Sequence, residues 1–378
     1  MKKNVFYWSP YLGKVATIRS VINSMIGLKT FNKNRYDVSV INCYGEWDNE
    51  ISNFKKNKIN TINIQKDIKF NINTSGFFSS RIIYLKTFFI SYYKLKSLLK
   101  MKQPDYLIVH LLTFIPLILF LNNSFKTKLI LRISGKPRLT FFRNILWKIS
   151  NRNLHIVFCP TEETKNYLLQ RKMFDRNKVL YLPDPILNKK EIEFLNKKKN
   201  TQNLIKDSFF LSIGRLTKQK NHELLIKMFY RYDIQEKLLI IGDGELLTYL
   251  RQLIKEFKLS DRIKIINYQK NIFYYIKQCK AVLITSLWED PGFVMIESAH
   301  MRKSIICSDC PSGPKEFIKN NKGGFLFKSN SLESLRNAFM SFNKVNKKIL
   351  SKKLKYAKNK SEIFSIDNHS KIISKYLN

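Results

Sequence analysis

The chain has 378 residues, 44% of them hydrophobic and 13% aromatic, which excludes a disordered polymer and is long for a single core. Its 68 Lys and Arg against 28 Asp and Glu give a formal net charge of +40, which suits an anionic partner: nucleic acid, an anionic membrane surface or a phosphorylated substrate. Part of that surplus also fits a composition rich in Lys, Asn and Ile. Cys43, Cys159, Cys279, Cys307 and Cys310 are scattered and odd in number, which argues against a disulfide scaffold and for a reducing compartment.

The opening MKKNVFYWSPYL has lysines but no apolar core of signal-peptide length. Strands are expected at NVFYW (4–8) and DVSVIN (37–42), with YLGKVATIRSVINS (11–24) between them. Residues 76–100 then mix Phe, Ile, Tyr and Leu with Arg81, Lys86, Lys94, Lys96 and Lys100. The apolar run at 106–121 falls short of the roughly 18–20 residues that a spanning helix needs, and His110 and Pro116 interrupt it. A buried strand running into a buried helix is expected there. A strand at 128–134 leads into RISGKP, where Arg132 and Lys136 are candidate acceptor-side phosphate ligands. Residues 138–152 place Arg138, Arg143, Lys148 and Arg152 around Phe141, Phe142, Ile145, Leu146 and Trp147, and HIVFCP (155–160) reads as the next strand. Both basic amphipathic stretches admit two readings: a helix lying in a membrane interface, or an ordinary domain helix with a solvated lysine face.

Residues 186–208 are charged and poor in large apolar side chains, as a linker would be. A second strand set follows at 208–214, 237–244, 262–267, 281–286 and 304–309. Near-continuous apolar strands between helices indicate parallel sheets covered on both faces. The expected fold is α/β, with two Rossmann-like doubly wound domains facing across a cleft. The expected boundaries are 1–187 for an acceptor-side domain, 188–207 for the linker and 208–361 for a nucleotide-sugar domain. A helix at about 362–378 is expected to pack back on the first domain.

Three motifs carry possible chemistry. In SIGRLTKQKNHELLI (212–226), Gly214 closes a strand, and Arg215 and Lys220 flank the loop where doubly wound sheets bind ligands. Both suit phosphate, and both could equally be solvated surface bases. IIGDGELLTYL (240–250) has Leu247 where a dinucleotide fingerprint needs its third glycine, so a tight strand-to-helix turn is the better reading. LWEDPGFVMIE (287–297) sets Glu289 and Glu297 around a helix start, with Asp290 suited to an N-cap and Pro291 to the first helical turn. The amides of Gly292, Phe293 and Val294 would then face a ligand. The two acids could form a ligand clamp, or could cap the helix and face solvent. Cys307 and Cys310 lack a second ligand pair at zinc spacing, and no metal site is expected.

In combination these segments resemble the retaining glycosyltransferases of family four, which have the GT-B fold. The resemblance covers roughly 205–330 and rests on 212–226, 238–254, 283–299, CSDCPSGPKEFI and GGFLF, with Glu289 and Glu297 at the E-x7-E spacing. It implies that Arg215 and Lys220 bind the donor diphosphate, Glu289 lies against the donor sugar and Glu297 holds the ribose. Gly292 to Val294 would meet sugar and phosphate. NYQKNI, with Tyr268 and Asn271, would lie near the base. His110 matches a histidine near the transferred sugar, and Gly13 is what remains of a glycine-rich loop facing the phosphate. Arg302 and Ser304 depart from the family's Gly and Pro after the second glutamate.

The chain has no D-x-D for a divalent ion, so metal-independent transfer is expected, with no cofactor besides the donor, a UDP-sugar on this reading. The expected acceptor is polyprenyl-diphosphate-linked or a polysaccharide, as in O-antigen, lipopolysaccharide or capsule assembly. The expected place is the inner face of the bacterial cytoplasmic membrane, held as a peripheral protein by its anionic surface, with no nucleic-acid partner. The alternatives are a basic nucleic-acid-binding protein and a GT-B nucleotide-sugar epimerase.

Overall fold

The computed structural model describes residues 2–11, 16–31, 35–64, 77–197 and 208–377, with side chains from residue 89 onward in the helix at 77–102. The chain divides into two compact units, Met1–Pro185 with Ile366–Asn378, and Ile186–Ser365.

The first unit contains β1 (Lys3–Trp8), α1 (Ala16–Phe31), β2 (Tyr36–Asn42), α2 (Ile51–Lys56), β3 (Asn60–Asn63), α3 (Phe77–Lys102) and β4 (Tyr106–Val109). It continues with α4 (Phe114–Asn122), β5 (Lys128–Arg132), α5 (Phe141–Ser150), β6 (Leu154–Cys159), α6 (Glu162–Gln170) and β7 (Val179–Tyr181). Its seven strands are parallel in the order β3-β2-β1-β4-β5-β6-β7. Strand side chains alternate between two apolar layers, as a doubly covered sheet requires. Phe6, Trp8, Leu107 and Val109 pack with Leu95, Leu98 and Leu99 of α3, Leu117 of α4 and Trp147 of α5. Val5, Tyr7, Val38 and Ile108 pack on the opposite side with Val21 and Met25 of α1. The apolar run at 106–121 is thus β4 followed by α4.

The second unit contains α7 (Lys189–Lys197), β8 (Phe209–Ile213), α8 (His222–Arg231), β9 (Lys237–Ile241), α9 (Leu247–Glu256), β10 (Ile263–Ile266) and α10 (Ile272–Gln278). It continues with β11 (Ala281–Ile284), α11 (Phe293–His300), β12 (Ser304–Ser308), α12 (Pro314–Ile318), β13 (Phe325–Phe327), α13 (Leu332–Lys344) and α14 (Lys347–Ser361). Its sheet is also parallel, in the order β10-β9-β8-β11-β12-β13. The order reverses between β8 and β11, which opens a crevice at the carboxyl ends of those strands.

The last helix, α15 (Ile366–Ser374), belongs to the first unit. A buried chain of hydrogen bonds ties it there. Tyr7 OH and Ser24 Oγ lie 2.8 Å apart, Ser24 Oγ lies 2.9 Å from His369 Nε2, and His369 Nδ1 lies 2.7 Å from the Pro183 carbonyl. Since a carbonyl can only accept, Nδ1 carries the ring proton and Nε2 accepts from Ser24.

Residues 189–197, expected as linker, are helical. Ile192 and Leu195 sit three residues apart on one side of α7 and are buried in the second unit's core; residues 198–207 lie outside the described residues. Strands β3, β7 and β13 were not expected, being three or four residues long. Among the described residues, no helix is long and apolar enough to cross a membrane.

Candidate donor-binding site

The carboxyl ends of β8 and β11 bring three segments together. Thr285 Oγ1, just past β11, donates to the carbonyls of Lys220 (3.0 Å) and Asn221 (2.9 Å), fixing the loop that leads into α8. Lys220 runs along Gly214, where an added Cβ would meet the lysine stem at 3.2 Å. Its Nζ reaches Glu289 Oε1 at 2.5 Å, and Ser286 Oγ donates to the same oxygen at 2.6 Å. Ser308 Oγ at the end of β12 in turn donates to the Ser286 carbonyl at 2.6 Å. Arg215 is exposed and donates to Gln219 Oε1 (3.1 Å), while Gln219 Nε2 donates to the Trp288 carbonyl (3.0 Å). Arg215, Lys220 and Glu289 therefore share one hydrogen-bonded loop cluster within the second unit.

The helix after this cluster starts later than its sequence suggests. The cap is Gly292, at φ +98°, and the first helical residue is Phe293. Asp290 and Pro291 lie before it, joined by a cis peptide. The left-handed backbone at position 292 favours glycine and displaces the expected proline-led start. Phe293 and Val294 form the first turn of α11. Glu297 is one turn further in and only 1% exposed, so it is not a solvated helix residue. The SGP turn backs the segment: an added Cβ on Gly313 would stand 2.3 Å from the Pro291 carbonyl oxygen. Nearby Cys307 and Cys310 are buried thiols, and burial pushes Cys310 up to about 12. No group of three metal-ligating side chains occurs among the described residues.

The turn at 242–244 is structural. Leu216 N–H donates to the Asp243 carbonyl at 2.9 Å, and the Leu216 carbonyl accepts from Leu246 N–H at 3.0 Å. Asp243 Oδ2 accepts from the backbone of Tyr268, whose ring is exposed. Asn271, expected near a base, is engaged within the fold. Its Oδ1 caps α10 by accepting from Tyr274 N–H, and its Nδ2 donates to the Leu195 carbonyl of α7.

Two groups in this unit escaped sequence reasoning. Ser286 shares the Glu289 oxygen with Lys220. His222 is buried beside Ser212, with Nδ1 3.2 Å from Ser212 Oγ. Burial, then the Lys220 charge, pushes His222 down to about 4, so its ring is neutral.

The remaining candidates lie in the first unit. His110 follows β4, is buried, and stacks on Tyr7 with ring centroids 5.9 Å apart. Burial, followed by the charge of Arg132, holds it well below its ordinary range. Arg132 is buried, and its Nη2 pairs with Asp184 Oδ1 at 2.5 Å; Ser20 Oγ donates to the same oxygen at 2.8 Å. Its charge is thus balanced inside the unit. Lys136 pairs with Glu163 at 3.3 Å on the surface. Gly13 lies outside the described residues.

Two parallel-sheet α/β units, the second with charged loops gathered at its strand-order reversal, define the GT-B fold class. Residues 193–361 match the family model described as Glycosyl transferases group 1. The chain is 31% identical over 247 residues to an uncharacterized glycosyltransferase of Methanocaldococcus jannaschii, covering 60% of this chain and 61% of that protein. It is 27% identical over 223 residues to the N-acetylgalactosamine-N,N'-diacetylbacillosaminyl-diphospho-undecaprenol 4-alpha-N-acetylgalactosaminyltransferase of Campylobacter jejuni, covering 56% and 59%. The matched stretches thus span about 60% of these relatives' lengths. The crystal structure of HepE from Anabaena, in complex with UDP and glucose, superposes with a TM-score of 0.71 at 14% identity, over 99% of this chain and 98% of that one.

Proposed function

We propose that the protein is a retaining, metal-independent glycosyltransferase that moves a hexose-type sugar from a UDP-sugar to a lipid-linked or polysaccharide acceptor. One observation carries this reading: Lys220 and Glu289 meet at the carboxyl ends of β8 and β11, beside Arg215 and the start of α11. A cation pair at a switch-point crevice suits a diphosphate, and a carboxylate beside it suits sugar hydroxyls. The Campylobacter relative's name specifies a diphospho-undecaprenol-linked acceptor, and the HepE complex contains UDP and glucose, which supports both substrate classes here. The site of action is the inner face of the cytoplasmic membrane, with surface-polysaccharide assembly as its setting.

In the proposed reaction the bond from the sugar C1 to the diphosphate oxygen breaks. The acceptor oxygen bonds C1 on the same face, and its proton passes to the departing diphosphate. Arg215 and Lys220 stabilise the charge on that leaving group, in place of a divalent ion. Glu289 orients the sugar and buried Glu297 selects the ribose. The Lys220–Glu289 pair pre-positions both side chains before the donor arrives.

Turnover of UDP-sugars in EDTA, with anomeric analysis of the product, tests the reading. Arg215→Ala is expected to lose about 10²–10³ in rate, the usual cost of one leaving-group contact. Near-normal turnover of a folded Arg215→Ala would remove its phosphate role. Interconverted donor without transfer would indicate an epimerase instead.

A further inference from the structure

We infer that the outer face of α5, with the exposed edge of α3, is the surface by which the first unit docks on anionic lipid. This deepens the membrane-side reading above and takes its partner class from it, but not the sugar chemistry. Helix α5 turns Trp147 and Ser150 into the unit and leaves Phe141, Phe142, Ile145 and Ile149 outside. Those four fall at i, i+1, i+4 and i+8, which is one stripe of a helix. Phe141 is 74% and Phe142 83% exposed, with their rings 5.9 Å apart. Thr140 caps the helix by accepting from Arg143 N–H, and the Arg143 guanidinium donates to the Arg138 carbonyl at 2.7 Å, so the stripe starts from a fixed end. Arg138, Lys148 and Arg152 are exposed beside it. On α3, Phe89 and Tyr93 are exposed at i and i+4, followed by Lys100. Helices α3, α4 and α5 all pack on the same side of the sheet.

Charge selects the occupant. The face carries exposed Arg138, Arg143, Lys148 and Arg152 along α5 and exposed Lys94 and Lys100 on α3, and neither helix contains an acid. A second copy would bring the same positive charge to the contact and be repelled. Nucleic acid would use the charge and could stack on Phe, but it offers nothing to Ile145 and Ile149. An anionic bilayer takes both: headgroups meet the bases, and the stripe enters the boundary between headgroups and acyl chains. Each base near such a surface strengthens binding by roughly fivefold.

Co-sedimentation with phosphatidylcholine vesicles, with and without phosphatidylglycerol, tests this at low and high salt. The variants are the triple Phe141→Ser, Phe142→Ser, Ile145→Ser and, as a control on the second unit, Phe194→Ser. All four positions are exposed, and circular dichroism with UDP titration checks that fold and donor site persist. The wild type is expected to bind phosphatidylglycerol vesicles and to release with salt. The triple variant should bind about tenfold or more weakly, while Phe194→Ser is unchanged. Wild-type binding in the triple variant would overturn the surface while leaving the membrane-side reading intact. A wild type that ignores anionic vesicles would overturn both. Equal or stronger binding to a DNA duplex, lost with the same three substitutions, would overturn lipid as the occupant.

Discussion

At the residue scale, the site depends on one carboxylate oxygen with two donors. Lys220 Nζ and Ser286 Oγ both reach Glu289 Oε1, at 2.5 and 2.6 Å. The hydroxyl fixes the carboxylate rotamer without adding charge, so Ser286 is a positioning residue. A hydrogen bond to a charged group contributes about 1.5–3 kcal/mol. Ser286→Ala should therefore lower kcat about tenfold while leaving the donor KM within about threefold, because the diphosphate contacts are untouched. Steady-state kinetics check this; an unchanged kcat would show that Lys220 alone sets the Glu289 rotamer. Sequence shows Lys220 and Glu289 because scarce or paired charges at strand ends attract attention. It hides Ser286 and His222 because serines close many strands and a lone histidine carries no spacing signal. It also does not show the partners of Arg132 and Asn271. Nothing local indicates that Asp184, 52 residues away, balances the arginine, or that Leu195 accepts from the asparagine.

At the element scale, the parallel strands are legible because burial on both faces makes them continuous apolar runs. The edge strand β3 is missed because NTIN is polar and partly exposed, and β7 and β13 are only three residues long. Helix α7 is missed because its charged face dominates the composition, and only Ile192 and Leu195 are buried. The start of α11 is misread because two local rules compete, and the glycine cap prevails over proline at the first turn. That start leans on the SGP turn. Gly313 has φ +116°, and a Cβ there would enter the Pro291 carbonyl. Gly313→Ala must push the two loops apart. Donor affinity should fall about tenfold or more, with strain of about 1–3 kcal/mol at this backbone position. Isothermal titration with UDP reads the affinity; wild-type affinity with wild-type stability would show that the two loops move independently.

At the scale of the whole molecule, buried imidazoles set the acid response. His110 and His369 in the first unit and His222 in the second are buried, and each is held below its ordinary range; His369 falls to about 3 and His222 to about 4. Each stays neutral when folded and takes up a proton when unfolded below about pH 6.5. Glu46 opposes them in the first unit. Burial raises it to about 7, against three weaker lowering contacts from backbone amides, so between about pH 4.5 and 7 it binds a proton when folded and releases it on unfolding. Between pH 6 and 5 the unfolding first unit thus gains about two protons at His110 and His369, a further fraction at partly buried His155, which is also held below its ordinary range, and loses about one at Glu46. Its stability should fall by about 1.4 kcal/mol or more per pH unit as pH drops. Trp8, Trp47 and Trp147 lie in this unit, so tryptophan fluorescence during urea unfolding reports mainly on it. His369→Asn removes one titrating ring while keeping a donor for the Pro183 carbonyl. His110 and Glu46 then nearly cancel, His155 leaves a residual slope, and the slope should drop by about 1.4 kcal/mol per pH unit, whatever the substitution costs at neutral pH. A slope that stays at the wild-type value would mean that His369 does not carry the acid sensitivity, and that the Tyr7–Ser24–His369 chain tolerates a charged ring at its centre.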